Sequence, residues 1–159
     1  MKLSKIQLIF IIILAIILIL SFAKSNHNPK INQNTNNSNN ISKVCIKENC
    51  FSVELAISNE EKQRGLMFKE SLDKDKGMLF IYNEESKQSF WMKDTLIPLD
   101  IIWIDKDGKI VHIATVEPCK KDLCEIYSPD ENALYILEIN AGLTNEYDIK
   151  EGDIVVIRR

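Results

Sequence analysis

The residues in this chain most able to carry chemistry are carboxylates set into apolar strands. Asp100 shares a strand face with Ile102 and Ile104, Glu138 shares one with Leu134 and Ile136, and Glu54 lies opposite the apolar face of its own strand. An ionised carboxylate removed from water is costly unless it is paired, so Asp100 and Glu138 each need a partner. Arg64, Lys93 and His112 are the available cations. An internal salt bridge, or a carboxylate accepting backbone N–H bonds in a turn, meets the need most simply. The sharper reading makes Asp100 and Glu138 a pair that does acid–base work or grips a hydroxylated ligand. A glycosidase pair needs its carboxyl groups ~5–9 Å apart in a cleft, which spacing along a chain does not show. Asp100 and Glu138, with Arg64 as a cation and Trp91 as an aromatic surface, form the candidate ligand-binding set.

Other chemistries are weaker. His112 alternates with Ile110 and Ala114 and has no cysteine, serine or aspartate motif beside it, which favours a structural role. No G-x-S-x-G elbow is present, so nucleophilic catalysis lacks its signature and no catalytic residue is assigned. Met67, Met78 and Met92 fall within twenty-six residues, with Trp91 beside the last. Thioethers suit Cu(I), but methionine is also an ordinary filler of cores, and Met92 alternates with Phe90. Core packing is the preferred reading, and neither a metal nor a cofactor is expected.

The four cysteines form two C-x4-C pairs, Cys45 with Cys50 and Cys119 with Cys124. With Lys47-Glu48 at the tip of a two-residue hairpin, Cys45 faces Cys50 at a non-hydrogen-bonded position, where side chains approach most closely. That register suits a cross-strand disulfide. The second pair flanks a Lys-Lys-Asp turn and could close it in the same way. A site holding zinc through all four cysteines is the rival, at the loose end of ligand spacing, and a bond between the two pairs stays open.

These groups are positioned by three segments. Met1 to Ala23 is a membrane anchor or signal peptide: Lys2 and Lys5 precede an uncharged run, Ile6 to Ala23, whose only polar members are Gln7 and Ser21. Eighteen residues span roughly 27 Å as a helix, close to the ~30 Å hydrocarbon core. The uncleaved anchor is preferred, and cleavage after Ser21-Phe22-Ala23 is the alternative. Either way the domain is exported, which favours disulfides over zinc. Residues 24–42 form an Asn-rich stretch with too few apolar side chains to offset its ordering entropy, and read as a disordered tether. Residues 43–159 then make one domain with one core. That domain holds all 23 acidic residues but 16 of the 20 lysines and arginines, a formal charge of −7, which argues against nucleic acid as a partner.

Within the domain, Phe51, Val53 and Leu55 alternate against polar residues as in a half-buried strand. Ser58-Asn59-Glu60-Glu61 is a capping box, opening a short helix that Gly65 can end. Leu66, Met67 and Phe68 are then expected in the core. Met78–Tyr82 and Ser89–Met92 read as strands of a central hairpin buried on both faces. Leu99–Ile104 and Lys109–Val116 form another hairpin around Asp105-Lys106-Asp107-Gly108, and Leu134–Ala141 and Ile154–Ile157 are further strands. Leu143–Ile149 holds a helical turn.

Val53-Glu54-Leu55-Ala56, Arg64-Gly65-Leu66-Met67, Gly77-Met78-Leu79-Phe80, Phe90-Trp91-Met92, Thr95, Pro98-Leu99-Asp100, Leu137-Glu138 with Gly142, and Gly152-Asp153 occur in that order. No single piece is specific, but in order and spacing the chain resembles the domain-of-unknown-function 192 family over essentially all of Lys43 to Ile157. The resemblance implies a mainly β, compact, jelly-roll-like sandwich or barrel with one short helix, in small and often exported domains. It brings no established activity. The preferred expectation is a membrane-anchored extracytoplasmic module, held through residues 6–23, that binds a small molecule, glycan, metal or envelope partner. An envelope or polysaccharide hydrolase using paired carboxylates is one alternative, and a structural envelope domain is another.

Overall fold

A computed structural model describes residues 43–119 and 124–158. The expected membrane segment 1–23 and the linker 24–42 lie outside the described residues. A turn at Lys47, which takes φ +54°, folds strand β1 (Lys43–Ile46) back on β2 (Asn49–Ala56). Cys45 faces Cys50 in register and the two are joined by a disulfide, with Cα atoms 4.0 Å apart. Cys119 and Cys124 form the second disulfide. Each pair therefore bonds within itself, as its spacing allows, and the four-cysteine zinc reading falls.

Helix α1 (Asn59–Arg64) begins at the expected capping box. Ser58 Oγ accepts from the Glu61 N–H at 3.2 Å, and Glu61 Oε2 accepts from the Ser58 N–H at 2.8 Å and the Ile57 N–H at 2.9 Å. The same backbone bonds hold the Glu61 carboxyl below its usual range. Gly65 ends the helix at φ +45°, its N–H donating to Glu61 O.

β3 (Lys76–Ser86) runs parallel to β2 and antiparallel to β8 (Ala133–Asn140). The expected central hairpin is therefore absent: β4 (Phe90–Trp91) pairs instead with β7 (Ile126–Tyr127) in a separate two-stranded sheet. Both edges of β3 are already taken, leaving no ladder for β4. Gly77 is what lets β8 come so close, since a Cβ there would lie 2.6 Å from the Glu138 carbonyl oxygen. β5 (Leu99–Ile104) and β6 (Ile110–Val116) do form the expected hairpin. The Asp105 carboxylate accepts from the N–H groups of Asp107 and Lys109, and Gly108 supplies a φ of +83°. After helix α2 (Leu143–Glu146), β9 (Val155–Arg158) pairs with β1.

The large sheet has the order β6-β5-β8-β3-β2-β1-β9. It curls until its two edge strands touch at one end, where Lys109 bridges Ile154 and the Val155 N–H donates to Gly108 O at 2.7 Å. Among the described residues the architecture is mainly β, a half-barrel with two short helices, the second lying in the Leu143–Ile149 stretch read from the sequence as a helical turn. A facing sheet that would make a sandwich is not seen among the described residues. Inside the curl pack Val44, Phe51, Leu79, Ile102, Leu137 and Val155. On the other face a second cluster joins Met78, Phe80, Phe90, Ile101, Trp103 and Ile136. Here Phe90 stands edge-on to Phe80 and Trp103, with centroids 4.9 and 6.0 Å apart. The Trp103 Nε1–H donates to Gln88 O at 2.8 Å. These contacts fasten β4 to the sheet through Phe90, and strand alternation then turns its neighbour Trp91 outward.

Candidate functional site

The two carboxylates that the sequence paired lie on opposite faces of the sheet. Asp100 is aligned with Ile139 across β5 and β8, whereas Glu138 is aligned with Ile101, so a one-residue offset separates them through the pleat. Asp100 is fully buried inside the curl and fully satisfied. Its Oδ1 accepts from the Thr115 hydroxyl at 2.6 Å, and Oδ2 accepts from the Thr144 N–H and hydroxyl, both at 2.8 Å. Thr144 lies in the first turn of α2, so Asp100 caps that helix from across the core. This corrects its place in the candidate set, because no ligand surface reaches it, and the hydrolase pair has no geometry.

Glu138 is on the outer face. Cross-strand register sets Glu54, Met78, Glu138 and Ile101 in one row across β2, β3, β8 and β5. Glu138 is only 5% exposed and its Oε2 has no hydrogen-bond partner. Among the described residues no cation pairs with it, as its burial should have required. Burial instead pushes its pKa up to about 8, so the group holds its proton at neutral pH and is a donor rather than an anion. Oε2 lies 3.9 Å from where a Cβ on Gly65 would stand and is itself closed off from solvent.

Above this point the surface opens. Arg64 and Trp91 line one cavity of about 330 Å³ together with Glu60, Gln63, Met67, Lys93 and Asp94. A second, of about 490 Å³, shares Arg64 and Met67 and is bordered by Gly65, Phe68 and Met78. Two of the four candidate residues thus come together, Arg64 at the end of α1 and Trp91 on β4, while Glu138 lies beneath Gly65 and lines neither cavity. Among the described residues neither Arg64 nor Lys93 takes part in an ion pair. The Lys93 ammonium sits 5.4 Å from the Trp91 ring centroid, within cation–π range.

Two residues of the cleft hold backbone conformations that their side chains disfavour. Phe68 has φ +63° and Asp94 φ +54°, and the Phe68 N–H donates to Asp94 O at 2.8 Å, tying the two turns together. Left-handed geometry costs a non-glycine residue roughly 1–3 kcal/mol and is held only where the surroundings enforce it. The same geometry directs Phe68 outward, 66% exposed, where the sequence placed it in the core.

The domain-of-unknown-function 192 model, described as "Uncharacterized ACR", matches residues 42–157. The chain belongs to this family. Over 105 residues it is 30% identical to a UPF0127 protein of Thermococcus gammatolerans, covering 65% of this chain and 64% of the relative. The match therefore spans slightly less than two thirds of that relative's length. A crystal structure of a protein of unknown function from Novosphingobium aromaticivorans is 34% identical, with a TM-score of 0.67, covering 72% of this chain and 83% of the other. A second, from Sinorhizobium meliloti and described as a candidate transcription regulator, is 30% identical with a TM-score of 0.66, covering 72% and 92%.

For this member of the DUF192 family, sequence reasoning missed Gln63, Phe68, Lys93 and Asp94 as cleft residues. Lys93 was visible only as a spare cation, and nothing in the local pattern marks Phe68 or Asp94 as left-handed. His112 lies elsewhere, with Nδ1 3.1 Å from Glu151 Oε1. Met78 and Met92 are core residues, while Met67 is half-buried and borders both cavities.

Proposed function

We propose that the domain is a non-catalytic binding module, held outside the cytoplasmic membrane by residues 6–23, and that its ligand occupies the cleft between the end of α1 and the Trp91–Asp94 turn. The observation that carries this reading is the cavity lined by Arg64, Trp91 and Lys93, where a half-exposed indole stands beside two cations that form no ion pair among the described residues. Strained backbone at Phe68 and Asp94 and an exposed Trp91 in the same place support it. The two disulfides and the apolar N-terminal run support export. A domain charge of −7 favours a ligand other than nucleic acid.

A thermal-shift screen of the full-length chain in detergent tests the reading, against metals including Cu(I), saccharides and envelope fragments. A ligand of the native state raises the midpoint by mass action. The expected result is a shift that Arg64→Ala or Trp91→Ala abolishes. A blank across all classes at millimolar concentration overturns small-ligand binding. Protease added outside spheroplasts is expected to digest the domain while a cytoplasmic marker survives, and protection of the domain would overturn its placement.

A further inference from the structure

We infer that the cleft takes a glycan, with a sugar ring laid on Trp91 and its hydroxyls held by the polar groups of Glu60, Gln63, Arg64 and Asp94. The inference rests on the binding reading above and names the ligand class for the same site.

The polar groups on the lining indicate the class. Met67, Trp91 and the stems of the longer side chains make the apolar part of the smaller cavity, and its polar groups belong to Glu60, Gln63, Arg64, Lys93 and Asp94. Their charges cancel, two cations against two carboxylates, so the wall does not select strongly for an anion or a cation. It is instead rich in planar groups with paired donors or acceptors, which match the neighbouring hydroxyls of a sugar. The negative face of an indole attracts polarised C–H groups such as those on one side of a pyranose. Trp91 offers such a surface at 46% exposure, held in place because Phe90 is buried beside it and Ile126 pairs with it across the small sheet.

Size points the same way. The cavity beside Trp91 is about 330 Å³, within the range of roughly 300–1,000 Å³ usual for small-ligand sites, and a second of about 490 Å³ shares Arg64 and Met67 with it.

Two tryptophans make the test direct, because Trp103 is fully buried and Trp91 is exposed. The full-length chain, in a detergent without a sugar head group, is titrated with chitotriose, cellotriose and maltotriose, and separately with trialanine, benzoate and inorganic phosphate. Acrylamide quenching reads the exposed tryptophan, and the thermal midpoint reads binding anywhere. At least one trisaccharide is expected to lower the Trp91 quenching constant at least twofold and to raise the midpoint. Trp91→Ala is expected to remove that midpoint shift, and Arg64→Gln to weaken the affinity at least tenfold. If only trialanine, benzoate or phosphate protects Trp91, the glycan inference is wrong and the binding reading stands. A trisaccharide shift that persists in Trp91→Ala places the sugar elsewhere and also overturns the inference. If no probe protects Trp91 or moves the midpoint, both the inference and the binding reading fall.

Discussion

At the residue scale, two buried carboxyls one position out of register do opposite jobs. Asp100 has three donors around it and stabilises the fold, whereas Glu138 has none and costs stability. The cost follows from protonation. Below the ordinary carboxyl pKa of 4.5, folded and unfolded chains both carry the Glu138 proton. Between there and about 8 the unfolded chain releases it and the folded chain keeps it, so stability falls as pH rises and levels off above about 8. By pH 7 a displacement of that size amounts to ~3 kcal/mol. Glu138→Met, set between Met78 and Ile101, should remove this penalty. Urea denaturation is expected to show the variant close to the parent at pH 4 and more stable by ~3 kcal/mol at pH 7. Equal stability at both values would mean that Glu138 has a partner after all. Asp100→Ala should act in the other direction, since it leaves one N–H and two hydroxyls without an acceptor. A loss of ~3 kcal/mol or more is expected, with acrylamide quenching of Trp91 unchanged.

At the element scale, the cleft is made by the ends of short elements. The capping box fixes where α1 starts, Gly65 fixes where it stops, and Arg64 is placed by both. This was readable in the sequence because capping is local chemistry. The pairing of β3 was not, because whether β4 or β8 takes an edge depends on a contact across sixty residues that Gly77 permits. For the same reason Asp100 and Glu138 were each correctly seen as buried, yet not as facing apart. The β5–β6 hairpin and the Cys45–Cys50 register, both closed by short turns, were legible. Gly65 links helix and cleft, and Gly65→Ala tests it. The new methyl would meet Phe80 Cζ at 3.3 Å, lie 3.9 Å from Glu138 Oε2, and have to sit at φ +45°. A destabilisation of ~1–3 kcal/mol is expected from the backbone alone. Because Gly65 fixes where α1 stops and hence where Arg64 stands, weaker glycan binding is also expected at a temperature where the variant is still folded. Unchanged affinity in the folded variant would show that Arg64 keeps its place without the glycine.

At the scale of the whole molecule, the inner core exists only because the sheet curls, and the curl is closed by few bonds. β9 pairs with β1 along its length but reaches β6 only near Gly108 and Ile110, where the Ile110 N–H donates to Asp153 O and the Val155 N–H to Gly108 O. Val155 belongs to the same inner cluster as Val44, Ile104 and Ile110, so burying it and closing the sheet are one event. An aspartate at this position would have to lose its charge or break the seam, since the interior offers it no cation. Val155→Asp is therefore expected to lower stability by at least ~3 kcal/mol. Hydrogen exchange should speed up in β1, β9 and the start of β6 before it does in β3 and β8, which lie at the centre of the sheet, farthest from the seam. Uniform acceleration across all strands would mean instead that the half-barrel opens as one unit, with the seam no weaker than the centre of the sheet. The outer cluster bearing Trp103 and Phe90 lies on the opposite face from the seam. Acrylamide quenching of Trp91 in the variant should thus stay at its parent value until global unfolding, and an earlier rise would show that the cleft depends on the closed curl.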